Sequence, residues 1–172
     1  MTLRALTISL ATGQARQEEL PAAVEQSLLG GRGAAAWLLA TRVPPTTGPL
    51  SPANLLIFSA GPLAGAIPLA GGSFVATTRS PLTGTIAHSW AIGRWGAALR
   101  RAGHDLLALE GQAQEWCYIH VDGERVQVRP AQRLLGLDTA ATANALRQEL
   151  GEEYVALCIG PAGEAGVAYA SI

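Results

Sequence analysis

Between Arg42 and Arg79 the chain carries no charged side chain, and six prolines and five glycines interrupt that run. A segment without charge has little reason to face water, and with Pro62, Pro68, Gly61, Gly65, Gly71 and Gly72 inside it no single helix can carry it. Buried strands joined by tight turns are what remains. The wider stretch 55–96 reads as a strand at 55–60, the turn GPLAG (61–65), the Gly71-Gly72 pair and a strand at 74–78. It continues with the turn SPLTG (80–84), a strand at 85–89 and a helix start edged by Gly93 and Gly96. Such a layout is expected to lie beneath something bulky.

The flanking sequence alternates strand and helix signals without a regular βαβ rhythm. Leu6, Ile8 and Leu10 share one side of a strand at 3–10, the turn Thr12-Gly13 follows, and 14–20 returns as a more polar strand. Pro21 pre-sets a helix with Val24 and Leu28 on one face, which Gly30 and Gly31 are expected to stop. A second helix is expected over 34–41, then a rigid proline-rich loop over 43–53. Trp95, Leu99 and Ala102 place a helix over 94–102, followed by a short buried strand at 106–109. Asp122-Gly123 is a strong hairpin signal between strands at 116–121 and 125–129. Asp138 or Thr139 caps a helix running to Leu150, and closing strands are expected at 155–159 and 167–172 around GPAGEAG (160–166). LIFSAGP (56–62) is echoed by ALCIGP (156–161), and PLAG (62–65) by PLTG (81–84), a pattern that two structural repeats or chance would give. The fold class that fits is α+β.

At 172 residues, 49% hydrophobic and 15% charged, the chain suits one domain that buries about 70% of its unfolded surface. A net charge of −1 offers no footprint for nucleic acid or an anionic membrane. The start of the chain reads as a strand rather than a signal peptide, and the broken uncharged run is no membrane span, so a cytoplasmic location is expected. Cys117 and Cys158 lie in separate apolar segments without ligand spacing and are read as buried thiols. No Walker or GxGxxG sequence follows any strand.

Taken in order, the motifs resemble one family. The opening strand with Thr12-Gly13, GGRGAAAWLL (30–39), PLSPANLLIFSAGPLAG (49–65), PLAGG (68–72), RSPLTG (79–84), GRWGAALRRAGHDLLALEG (93–111) and IGPAGEAGVAYASI (159–172) are similar to the N-terminal domain of tungsten-dependent aldehyde:ferredoxin oxidoreductases. The resemblance implies a two-repeat mixed strand and helix domain over 1–172, short at its C-terminal end. It implies a platform for a tungstopterin, that is, a tungsten atom held by two molybdopterin-type dithiolenes. Later domains of such enzymes supply an iron–sulfur cluster and the catalytic groups that oxidise aldehydes and pass electrons to ferredoxin. No cluster-binding cysteine set is present in this chain, and neither a catalytic residue nor a metal ligand is assigned to it.

Carried over residue by residue, the resemblance makes Arg32, Gly71, Gly72, Arg79, Ser89 and Gly93 the cofactor-binding candidates. The glycines would allow close backbone approach, and the arginines would meet phosphate. Ser73 stands where the family has a phosphate-binding arginine, and Trp90 stands in place of an asparagine, where it is expected to plug the site. His88 is the histidine nearest the expected cofactor face, His104-Asp105 reads as a structural cap, and His120 should face solvent. Trp37, Trp95 and Trp116 read as core or groove-lining. Three functions follow: a tungstopterin-supporting domain that needs a catalytic partner chain, a degenerate non-catalytic module that self-associates, or an anion-binding or nucleotide-like cleft. Ferredoxin is a partner by resemblance only; nucleic acid and membrane are not expected.

Overall fold

The computed structural model describes residues 2–66, 71–167 and 170–172, and the chain divides into two compact units. The first takes in residues up to Gln114 and Ile119–Val128; the second comprises Glu115–Tyr118 and Arg129–Ile172.

The first unit is built on a six-stranded sheet. Strands β1 (Arg4–Ser9) and β2 (Ala15–Glu19) form a hairpin, and α1 (Ala22–Leu28) and α2 (Gly31–Arg42) follow. Then come β3 (Leu55–Ala60), β4 (Phe74–Arg79), β5 (Ile86–Ala91), α3 (Trp95–Arg101) and β6 (Leu106–Glu110). The order across the sheet is β2-β1-β6-β3-β4-β5, and β1–β6 is its parallel pair. This mixed sheet with helices is the α+β architecture expected from the sequence. The continuous apolar run at β3 is explained by its place between β6 and β4, where Leu55, Ile57, Phe58 and Ala60 are all buried.

Helix α2 buries Gly31, Ala34, Ala35, Leu38 and Leu39, a stripe at helical spacing that covers one face of the sheet. Its small residues let the helix pack closely on Ala5, Leu55, Ile57, Leu106 and Ala108. On the opposite sheet face Phe58, Phe74 and Trp95 form a tilted aromatic trio with ring centroids 5.0 to 6.1 Å apart, which holds α3. Such pairs add roughly 0.5–1.5 kcal/mol each beyond the area they bury. Trp95 therefore has the core role the sequence suggested, and Trp37 packs half-buried against the α2 cluster.

The second unit is thinner. Asp138 caps α4 (Thr139–Leu150), its carboxylate accepting from the Ala141 N–H at 2.7 Å. Leu146 of that helix packs with Ala131 and Leu134, while Glu149 accepts a hydrogen bond from the Tyr118 hydroxyl at 2.8 Å and pairs with Arg129 and Arg133. A hairpin of β7 (Cys117–Asp122) and β8 (Arg125–Pro130), whose residues Ile119–Val128 belong to the first unit, turns at Asp122-Gly123 as expected, and α5 (Pro161–Glu164) of the second unit is a single turn.

Several expectations need correction. Helix α2 begins at Gly31, not at residue 34, because α1 ends in a left-handed Leu29 (φ 61°) and leaves both glycines to the next helix. The 155–159 stretch has no strand, since no neighbouring strand pairs with it among the described residues. Residues 168–169 of the other closing strand lie outside the described residues, and 170–172 carry no regular element. The echo between 56–62 and 156–161 is realised in the turn instead: the Ala64 N–H donates to Gly61 O at 3.0 Å, and the Gly163 N–H donates to Gly160 O at 2.9 Å. His120 is buried at 8% exposure rather than facing solvent, and Trp116 is 46% exposed. Cys117 and Cys158 are free and half-buried, Cys158 outside any strand, and burial raises both thiol pKa values.

The reading of His104-Asp105 as a structural cap is supported by its contacts. Asp105 is 6% exposed; its carboxylate accepts the Arg4 N–H at 2.9 Å and the Arg100 guanidinium at 2.6 Å. The Asp105 N–H donates in turn to Arg4 O at 2.8 Å. Asp105→Ala is expected to cost about 3–5 kcal/mol, because Arg100 loses a buried counter-charge and the Arg4 N–H its acceptor. The urea midpoint of the purified variant measures this, and a midpoint equal to wild type would refute it.

Candidate functional site

Strand register places most of the candidate residues at one end of the first unit's sheet. Ala60 pairs with Phe74 and Phe74 with Ala91, so the segments after Ala60, before Phe74 and after Ala91 leave the sheet side by side. Gly71, Gly72 and Gly93 lie on those segments. The start of α2 is at the same end, because a Cβ on Gly31 would stand 3.6 Å from Gly61 Cα. Arg32, in the first turn of α2, is exposed, and its charge contributes to depressing the pKa of half-buried His88. Burial is the larger cause of that shift. Thr77 Oγ1 lies 3.0 Å from His88 Nδ1, which orients the ring.

The glycines divide by what surrounds them. A Cβ on Gly72 would stand 2.7 Å from Arg94 Cα and would also collide with Gly93 O, and one on Gly96 would stand 2.6 Å from Gly72 O. The Gly96 N–H donates to Gly72 O at 2.8 Å, so these two glycines exist to bring loop and α3 backbone together. Gly71 (φ +52°) and Gly93 are different, since among the described residues nothing lies within 4 Å of where a Cβ would point. They leave open space at the sheet end.

Two candidates stand apart. Arg79 pairs with Ile86 at the far end of β4, about 17 Å along the strand from Phe74. Its Nε is buried with no hydrogen-bond partner among the described residues. Ser89 pairs with Ala76 and points to the opposite sheet face from His88 and Trp90, whose register partners are Thr77 and Val75. Trp90 does not plug a cavity in this chain: it is 66% exposed on the edge strand β5. Leu63 and Ile92, at 59% and 96% exposure, add to the apolar surface around the same sheet end.

Sequence reasoning missed Arg94, Gly65 and Gly96 as parts of this end. Arg94 is exposed at the start of α3, and the Gly65 N–H donates to Gly71 O at 2.9 Å. A signal was available. From Glu25 to Asp105 there is no intervening carboxylate, while six arginines fall between them. The α2 N-terminus lacks any side-chain cap, so its N–H groups and Arg32 form a positive sheet end with no acid in this sequence span to neutralise it. Among the described residues no group of three or more His, Cys, Asp or Glu could hold a metal ion. Two pockets in this unit, of about 240 and 290 Å³, are lined by other residues, Arg4, Arg100 and His104 at one and Arg42, Pro52 and Glu110 at the other.

The profile of the aldehyde ferredoxin oxidoreductase N-terminal domain matches residues 5–172. The chain belongs to that family. It is 39% identical over 170 residues to the tungsten-containing aldehyde ferredoxin oxidoreductase of Pyrococcus furiosus, covering 98% of this chain and 28% of that protein. The enzyme of the same description from Thermococcus kodakarensis is 37% identical, with the same coverage. The fold is similar to a chain of the active-site complex BamBC of benzoyl coenzyme A reductase with 1,5-dienoyl-CoA. That match has a TM-score of 0.82 at 33% identity, over 89% of this chain and 24% of the other. The chain thus spans about a quarter of the length of these relatives.

Within this aldehyde ferredoxin oxidoreductase domain, Gly96→Ala is expected to cost about 1–3 kcal/mol through backbone overlap, while Gly93→Ala at the open position stays within about 0.5 kcal/mol. Thermal melts of both variants test the contrast. His104 gives a pH signature. It is 2% exposed, its Nε2 lies 3.3 Å from Gly123 O, and Nδ1 has no partner among the described residues. Burial, aided by Arg4, lowers its pKa against the opposing pull of the Gly123 bond and of Asp105 and Glu124. The unfolded chain therefore takes up this proton first, so the stability due to neutral His104 is complete above about pH 6.5 and is lost as pH falls below it. Urea midpoints from pH 8 to 5 should fall more steeply for wild type than for His104→Asn, with His88 leaving some slope in both.

Proposed function

We propose that this chain is the platform domain of an aldehyde ferredoxin oxidoreductase-like system, supporting a tungstopterin whose catalytic surroundings come from another part of the enzyme. The observation that carries the reading is the positive sheet end, drawn from a sequence span without carboxylates, with backbone at Gly71 and Gly93 that is open among the described residues. Its residues fit the anionic part of such a cofactor. Arg32, Arg94 and the uncapped N–H groups of α2 offer charge-assisted donors for phosphate, and the two open glycines leave room for a broad ring system to approach the main chain. When bound, the tungsten centre supplies the redox chemistry. The chain itself holds and orients.

The exposed apolar side chains Leu63, Trp90 and Ile92 bordering that end give the domain a surface suited to cover by cofactor and catalytic domains. Arg79 lies too far along β4 to join the group and is read as a structural residue of the SPLTG end. The split of roles predicts opposite outcomes. In protein purified from its source, bound tungsten and pterin are expected, and Arg32→Ala should lower tungsten retention about tenfold, the loss of one charged hydrogen bond. Arg79→Ala should leave retention unchanged. A metal-free and stable homo-oligomer would overturn the platform reading and favour a self-associating module.

A further inference from the structure

The pocket of about 240 Å³ at the start of β1 and β6 holds charges that the fold itself does not use. Two guanidinium groups, Arg4 and Arg100, and two carboxylates, Glu19 and Asp105, line it together with His104 and Thr2. Arg100 and Asp105 meet at 2.6 Å with side chains only 16% and 8% exposed, and Asp105 also holds the Arg4 main chain, so that pair belongs to the frame. Arg4 and Glu19 are left. They are register partners on the antiparallel β1–β2 hairpin, which puts both side chains on one face of the sheet. Opposite charges in that position ordinarily pair. Here the Arg4 guanidinium and the Glu19 carboxylate form no ion pair or hydrogen bond, with each other or with any other described residue.

The charge balance says what such a pocket takes. Two cations face two anions, and His104, whose pKa burial lowers, adds no charge at neutral pH. With no net charge the pocket draws in neither a simple anion nor a simple cation. A molecule carrying one charge of each sign matches it. We propose that this pocket binds a small zwitterion, a free α-amino acid, with its carboxylate on the Arg4 guanidinium and its ammonium on the Glu19 carboxylate. A guanidinium presents two parallel N–H donors to a carboxylate, and a carboxylate accepts readily from an ammonium group. An α-amino acid separates its two charges by a single carbon, which suits side chains that rise from Cβ atoms roughly 4.5–5.5 Å apart on paired strands. The inference goes beyond the platform reading and does not rest on it, since none of the pocket's residues is a cofactor candidate.

The test is titration of the full chain with glycine at neutral pH, followed by calorimetry and by amide chemical shifts. Saturable binding is expected, with the shifts centred on Arg4, Glu19 and Gly103. Acetate and methylammonium carry one of the two charges each and should bind at least about tenfold more weakly, the loss of one charged hydrogen bond. Arg4→Ala and Glu19→Gln should each weaken glycine binding about tenfold for the same reason. Both side chains are exposed and without a side-chain partner among the described residues, so the variants should melt with wild type. Glycine that fails to saturate overturns the proposal. So does glycine binding no tighter than that of acetate, methylammonium or inorganic phosphate, or binding that both variants retain in full. Tungsten content is read separately, so any of these results leaves the platform reading standing.

Discussion

The parallel pairing of β1 with β6 is the contact on which the first unit depends. It joins the N-terminal hairpin to a strand 101 residues later, and Asp105 anchors it from one end. One buried carboxylate there engages the Arg4 backbone of β1 and the Arg100 side chain of α3, while its own amide returns a bond to Arg4. Ala5 to Ser9 then run in register with Leu106 to Glu110, and β3 is left to pair on the far side of β6. A long-range parallel pair closes a large loop before it gains anything, so an anchor of charged hydrogen bonds at its start is physically apt.

From that frame the candidate site follows by geometry. Register carries the alignment across β6, β3, β4 and β5, and so it decides which loops leave the sheet together. The glycines that the chain spends there have two distinct uses. Gly72 and Gly96 let main chain touch main chain, and Gly71 and Gly93 leave space unfilled. Charge adds the functional bias, because Arg32 and Arg94 stand at that end within a sequence span that holds no carboxylate.

Much of the fold was legible because local patterns and tertiary contacts agreed. The β3 run, the α2 stripe, the Asp122-Gly123 hairpin and the Asp138 cap each follow from residues close in sequence. The site was legible in part. Arg32 and the paired glycines, named from the ordered motifs, lie at one sheet end, but the opposed placement of Arg79 and Ser89 could not be read from them. Adjacency in sequence says nothing about which end or face of a strand a residue occupies until the register is known. His120 shows the same limit, since alternation with apolar neighbours fixes two faces without telling which one is covered.

The uncharged run with its prolines and glycines determined by itself that this region would be strands and turns, for the reason that no helix tolerates those breaks and no loop tolerates that much apolar surface. Composition likewise pointed to a chain that buries a substantial core, and the first unit contains one. Only the tertiary structure decided that Gly72 serves packing, that Gly71 meets no close neighbour among the described residues, that Trp90 stands in solvent, and that 155–159 pairs with no strand among the described residues while β3 does. The last two segments share a strand-like pattern, and the difference between them is the presence of neighbours. A strand is completed by hydrogen bonds it cannot make with itself, so its own residues propose it and only the surrounding chain can form it.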